Sequence, residues 1–161
     1  MNVREKEPAD QPWIETLLNE RWGGGGNIVV HGETFDARSL TALIAGERQG
    51  LATFQIRRSN DIAVAELITL DALTAGRGVG TVLIEALISR LQAARVEVLR
   101  VTTTNDNLEA LRFYQRRGFR ITEARPGAVD QARRIKSSIP MIGEHGIPIH
   151  DEIELERPVQ E

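Results

Sequence analysis

The chain has 161 residues, a formal net charge of −3, 41% hydrophobic and 27% charged residues. That length suits one domain, 1–161, with a sizeable core, and the mild acidity argues against a broad nucleic-acid surface. The absence of cysteine excludes disulfides, a thiolate nucleophile and a thiolate zinc site. No apolar run approaches the roughly 20 residues that span a bilayer, and the first residues are charged rather than signal-like. A cytoplasmic setting without a membrane partner is the expectation.

Val3–Glu7 reads as a short first strand. Ala9–Trp22 follows as a helix with Trp13, Ile14, Leu17 and Leu18 on one face, stopped by the glycines 23–26. Asn27–His31 is a short strand. Leu40–Glu47, Gly50–Arg57 and Ile62–Leu70 are three successive strands whose short connections favour antiparallel neighbours. Val82–Ala94 is a helix with a broad apolar face, from Leu83, Ile84, Leu87, Ile88 and Leu91. Val96–Thr102 is a buried-type strand, Asn107–Arg117 a helix ended by Gly118, and Phe119–Ala124 a strand. Residues 125–149 hold Pro126, Pro140 and Pro148 and read largely as loop, with one helical turn near Val129–Arg134. Ile149–Arg157 alternates apolar and charged residues and makes a final strand. The pattern predicts a mixed α/β sheet with helices on both faces.

The stretch Ala75-Gly76-Arg77-Gly78-Val79-Gly80-Thr81 joins an apolar strand to an amphipathic helix. Glycines allow positive φ and close ligand approach, and the following helix start offers free N–H groups and a positive dipole end. Together these favour a phosphate or pyrophosphate. A Walker loop would need a lysine and a hydroxyl residue after the last glycine, where Thr81 and Val82 stand. A dinucleotide fingerprint would need a different glycine spacing at an early strand.

A second motif lies downstream, Asn107-Leu108-Glu109-Ala110-Leu111-Arg112-Phe113-Tyr114-Gln115-Arg116-Arg117-Gly118-Phe119. It resembles the N-x-x-A-x-x-F-Y-x-x-x-G-F pattern of the GNAT N-acetyltransferase superfamily. The glycine loop is similar to that superfamily's Gln/Arg-x-x-Gly-x-Gly/Ala acyl-CoA loop, with Gly78 and Gly80 in the glycine positions. Ala75 departs from the usual Gln or Arg, and Arg77 is the nearby charge. The resemblance centres on residues 62–119. It implies an acyl-CoA N-acyltransferase fold: a central, mostly antiparallel sheet whose strands splay to admit acetyl-CoA. It further implies pantetheine contacts at Ile68, Thr69 and Leu70, and a pyrophosphate on the amides of Ala75, Gly76, Arg77, Gly78, Val79, Gly80 and Thr81. Homodimers are common in the superfamily.

By the same resemblance Tyr114, the only tyrosine, protonates the departing CoA sulfur; the other reading is an aromatic packed under the loop. Glu66 interrupts an apolar strand and is the candidate general base, or else a solvent-facing or ion-paired strand residue. Asn107 reads as a helix N-cap and, by resemblance, a cofactor contact. Asn105, and Glu144 with His145 in the late loop, are candidate substrate contacts; the same loop reads as a lid over the acceptor, at 125–149. No His, Asp or Glu spacing resembles a metal site. The expected reaction is direct acetyl transfer from acetyl-CoA to an amine of a small molecule or a protein. A CoA-binding module without catalysis is the alternative.

Overall fold

The computed structural model describes residues 1–160. Among these residues nine strands and four α-helices follow one another: β1 (Val3–Glu5), α1 (Gln11–Trp22), β2 (Asn27–Val30), β3 (Glu33–Asp36), β4 (Thr41–Ala45), β5 (Gly50–Ser59), β6 (Ile62–Ala72), α2 (Val79–Ala93), β7 (Val98–Thr104), α3 (Leu108–Arg116), β8 (Arg120–Arg125), α4 (Ala128–Ile135) and β9 (Glu152–Pro158). Seven strands form one sheet in the order β1-β4-β5-β6-β7-β9-β8, while β2 and β3 form a separate hairpin. Among the described residues the β6–β7 pair is parallel and the other pairings of this sheet are antiparallel.

Two apolar layers hold the sheet. On one side Leu83, Leu87 and Leu91 of α2 pack with Leu43, Phe54, Leu67, Leu99 and Leu155 from the strands. On the other side Ile14 and Leu18 of α1, with Ile28, Val30 and Phe35 of the hairpin, cover Ile44, Leu51 and Ile68. Burying each such side chain contributes about 1.5–3 kcal/mol.

The feature that shapes the middle of the sheet is a bulge. Thr53 lies opposite Thr69 but Phe54 lies opposite Leu67, so Ile68 is an extra residue in β6. An extra residue bends its strand and increases local twist. Ile68 therefore enters the core under α1, and the next residue, Thr69, meets Thr53 hydroxyl to hydroxyl at 2.6 Å on the same face. The parallel pairing of β6 with β7 runs from Val64–Val98 to Leu67–Val101 and ends there, one residue before the bulge. Beyond it the two strands continue without pairing to each other.

Most expected elements are present, with three differences. The strand β3 and its hairpin with β2 were not foreseen. The helix α2 starts three residues earlier than its apolar periodicity indicates, inside the glycine loop. The one helical turn expected near residues 129–134 is an eight-residue helix, α4. None of the helices among the described residues is long and apolar enough to cross a membrane.

Because Leu87 is fully buried at the centre of the α2 layer, Leu87→Ala should lower the unfolding free energy by about 2–5 kcal/mol. Urea titration followed by far-UV circular dichroism measures this, and a loss below 1 kcal/mol would contradict the packing described.

Candidate active site

Where β6 and β7 part, a cleft of about 820 Å³ opens. One wall is the end of β6, with Leu67, Ile68, Leu70, Asp71 and Ala72; the other is Val101–Thr103 of β7. The glycine loop and the first turn of α2 close one end, and Asn107, Ala110, Phe113 and Tyr114 of the α3 region line the side.

The loop's local geometry follows from its residues. Gly78 is the N-cap of α2 with φ 72°, a left-handed conformation that L side chains rarely adopt. The first intrahelical bond is Val82 N–H to the Gly78 carbonyl, at 3.0 Å. The amides of Val79, Gly80 and Thr81 precede it and lack helical partners. Gly80 has a different reason to be glycine. A Cβ there would come within 3.1 Å of the Phe113 ring, so its smallness lets α3 lie against the start of α2. Positive charge at this end comes from Arg117, stacked 3.7 Å from the Phe113 ring centre and bonded to the Thr81 hydroxyl. Arg21 also lines the cleft, whereas Arg77 does not.

Tyr114 is buried, edge-on to Phe113 and Phe119 at ring-centre distances of 5.3 and 5.2 Å. It lines the cleft. Burial, and then the nearby Asp71 charge, push its phenol well above the usual tyrosine range. The hydroxyl therefore stays protonated and acts as a hydrogen-bond donor across the whole neutral range. Asp71 is itself buried in the cleft wall and accepts from the Trp22 indole N–H at 2.9 Å. Burial raises its pKa, while the Trp22 hydrogen bond opposes that rise.

The cleft thus gathers Ile68, Leu70, Ala75, Gly76, Gly78, Val79, Gly80, Thr81, Asn107, Tyr114 and Glu144 from the sequence expectations. Asn107 caps α3, its side-chain oxygen accepting from Ala110 N–H at 3.1 Å. Thr69 is turned away by the bulge. Glu66 lies outside the cleft, in the wall of a second cavity of about 490 Å³. There its carboxylate oxygens lie 2.8 and 3.0 Å from Nε2 of His31, which the hairpin turn delivers. Asn105 serves the backbone: its amide donates to the Pro148 carbonyl and accepts from the His150 and Asp151 N–H groups. His145 is exposed and pairs with Glu109 at 2.7 Å.

The late segment is held down at several points. Glu144 N–H donates to Asp106 at 2.9 Å, and Arg133 donates to the carbonyls of Ile139, Pro140 and Ile149. Lys136 Nζ donates to the Trp22 and Asn27 carbonyls at 2.7 and 2.6 Å, tying α4 to the end of α1 and the start of β2. Several cleft residues were missed at the sequence level, among them Asp71, Trp22 and Arg117. Asp71 carried a visible signal, a carboxylate ending an apolar strand just before the glycine loop; the other two became site residues only through tertiary packing.

The chain belongs to the acetyltransferase (GNAT) family, whose model it matches over residues 6–119. It is 38% identical to the uncharacterized protein YxbD of Bacillus subtilis (strain 168), over 99% of this chain and 100% of that one. It is also 38% identical to the uncharacterized protein YdhI of the same organism, a match that spans 68% of this chain and 66% of YdhI, just under two thirds of that protein. Among solved structures, a GNAT family acetyltransferase from Elizabethkingia anophelis with acetyl-CoA bound shares the fold. It has a TM-score of 0.65 and 19% identity, covering 98% of this chain and 97% of that one. The expected fold class, a mixed sheet of the GNAT type, is the observed one.

Asp71 yields a pH-dependent expectation. Its folded pKa lies above its unfolded one, so its charge opposes folding at neutral pH, and that penalty fades as pH falls through the folded value. Asp71→Asn should raise Tm at pH 7 and leave it unchanged near pH 3, below the ordinary carboxylate pKa of about 3.9. Thermal melts across this range test it; a gain independent of pH would point to packing instead.

Proposed function

We propose that the protein transfers an acetyl group from acetyl-CoA to an amine. The observation that carries this reading is the coincidence of three things in one cavity: parted parallel strands, a glycine-capped helix start and a protonated Tyr114. The free edges of β6 and β7 offer backbone groups to an extended pantetheine arm. The unpartnered amides of Val79, Gly80 and Thr81, with Arg117 beside them, suit a pyrophosphate. The E. anophelis relative holds acetyl-CoA on the same fold.

In this reading the amine nitrogen attacks the thioester carbonyl carbon, and the carbon–sulfur bond breaks as the tetrahedral adduct collapses. The sulfur leaves as a thiolate and takes its proton from, or is held by a hydrogen bond from, the Tyr114 hydroxyl. The raised phenol pKa favours the second, since transfer to a thiolate of pKa near 8.5 would be uphill. Glu66, the candidate base, lies in the neighbouring cavity with His31 on its carboxylate, so in this reading it takes the ammonium proton only by relay through water. No nucleophile of the protein is required.

Release of free thiol from acetyl-CoA, read with DTNB over a panel of primary amines, tests the reading. Tyr114→Phe should lower kcat by roughly a hundredfold while CoA binding by calorimetry stays within about threefold. Equal losses in both would remove Tyr114 from the chemistry. Tight CoA binding with no thiol release from any amine would make the protein a CoA-binding module.

A further inference from the structure

Three carboxylates line the cleft, Asp71, Glu109 and Glu144, and they differ in setting. Glu109 is exposed and paired with His145, and Glu144 is exposed in the late segment. Asp71 is 7% exposed, and one hydrogen bond holds it, from the Trp22 indole to Oδ2 at 2.9 Å. Its Oδ1 has no hydrogen-bond partner among the described residues. Among those residues no side-chain oxygen that is shut off from solvent lacks a partner. Oδ1 is therefore open, and the cleft is the space that Asp71 lines. The carboxylate has one oxygen fixed and one free.

Its place in the sheet adds a direction. Asp71 lies opposite Leu51 in the β5–β6 ladder, and directly paired residues share a face. Leu51 packs under α1, so Asp71 belongs to the α1 face, whereas Tyr114 packs in the α2 layer. A thioester lying between β6 and β7 thus has a hydrogen-bond donor on one face of the sheet and a proton acceptor on the other. The Asp71 charge acts on the Tyr114 phenol, so the two groups serve one small volume. Glu66 lacks this position: both its oxygens lie within 3.0 Å of His31 Nε2, in the neighbouring cavity. Nor does the fold need the Asp71 charge. An asparagine would accept from the Trp22 indole equally well, without the cost of a buried anion. A carboxylate that opposes folding and keeps one oxygen open to a cleft marks a working group.

We propose that Asp71 takes the proton of the attacking amine directly, so that no relay to Glu66 is needed. The neutral amine enters from the α1 face. There a smaller cavity of about 130 Å³, roofed by Ile28, Val29 and Val30, adjoins the cleft and shares Trp22, Leu67 and Ile68 with it. As the nitrogen lone pair bonds to the carbonyl carbon, the nitrogen becomes positive and its N–H acidic. That proton passes to Oδ1. The electron pair of the carbon–sulfur bond leaves with the sulfur, and the Tyr114 hydroxyl holds the thiolate. Burial raises the Asp71 carboxyl, and the Trp22 indole and the Arg21 charge oppose that rise. Glu109, Arg117 and Glu144 complete the charged lining. The proposal rests on the acetyltransferase reading and names its base.

Thiol release from acetyl-CoA with n-butylamine, benzylamine and glycinamide tests it, read with 4,4′-dithiodipyridine from acid to neutral pH. The chain has no cysteine to react with the reagent. After correction for the ionisation of each amine, wild-type kcat/KM should fall on the acid side, at a pH above the ordinary carboxylate value of about 3.9. Asp71→Asn keeps an acceptor for Trp22, and a thermal melt checks its fold. It should lose this limb and lower kcat by about a hundredfold, with CoA affinity by calorimetry within about threefold of wild type. Trp22→Phe removes the bond that favours the charged carboxylate and should move the limb to higher pH; a carboxylate with a merely structural role would leave the limb in place. An Asp71→Asn kcat within about threefold of wild type, or a limb that Glu66→Gln removes and Asp71→Asn keeps, overturns the proposal and leaves the transferase reading standing. No thiol release by the wild type with any of the amines overturns both.

Discussion

One extra residue in β6 sets the rest of the structure. A parallel sheet strand normally keeps its neighbour along its whole length, because unpaired backbone groups in a core are costly. Here Ile68 breaks the register with β5, bends β6 and ends its pairing with β7. The backbone groups thereby released face a cavity instead of a neighbour, which only a ligand with its own amides or water can satisfy. The fold therefore carries an unfilled pairing position at its centre, and the glycine loop, α3 and the hairpin are arranged round it.

The two faces of that gap differ in character. The α2 side presents helix-terminal amides, Thr81 and the Arg117 guanidinium, a set suited to phosphates. The α1 side presents apolar hairpin residues and buried carboxylates. The two faces therefore present different chemical groups at the parting point. Tyr114 stands close enough to Asp71 for that charge to act on its phenol.

The elements with long, regular periodicity were legible: α2 from its leucine and isoleucine face, β5 and β6 from their apolar runs, and the two motifs whose loop and helix line the cleft. The hairpin strand β3 was not, because Glu33-Thr34-Phe35-Asp36 offers a single apolar residue. The available signal was His31-Gly32, both at positive φ, a two-residue hairpin turn between short segments. Missing it hid the roof of the smaller cavity and the partner of Glu66. The placement of Glu66 shows the same limit from another side. Alternation along β6 puts it on the face away from Leu67, and which cavity that face bounds depends on the hairpin, a contact 35 residues distant in the chain. The bulge left no trace in composition, since Ile68 fits any strand.

The clamp made by Lys136 has a practical corollary. The chain contains two lysines, Lys6 and Lys136, and the second is half-buried with its ammonium spent on two carbonyls of α1 and β2. An amine-directed reagent must compete with those two carbonyls for its nitrogen. The rate of labelling at this one side chain is thus a built-in gauge of how often the contact between the end of α4 and the Trp22 and Asn27 carbonyls breaks, readable by mass spectrometry without introducing any probe.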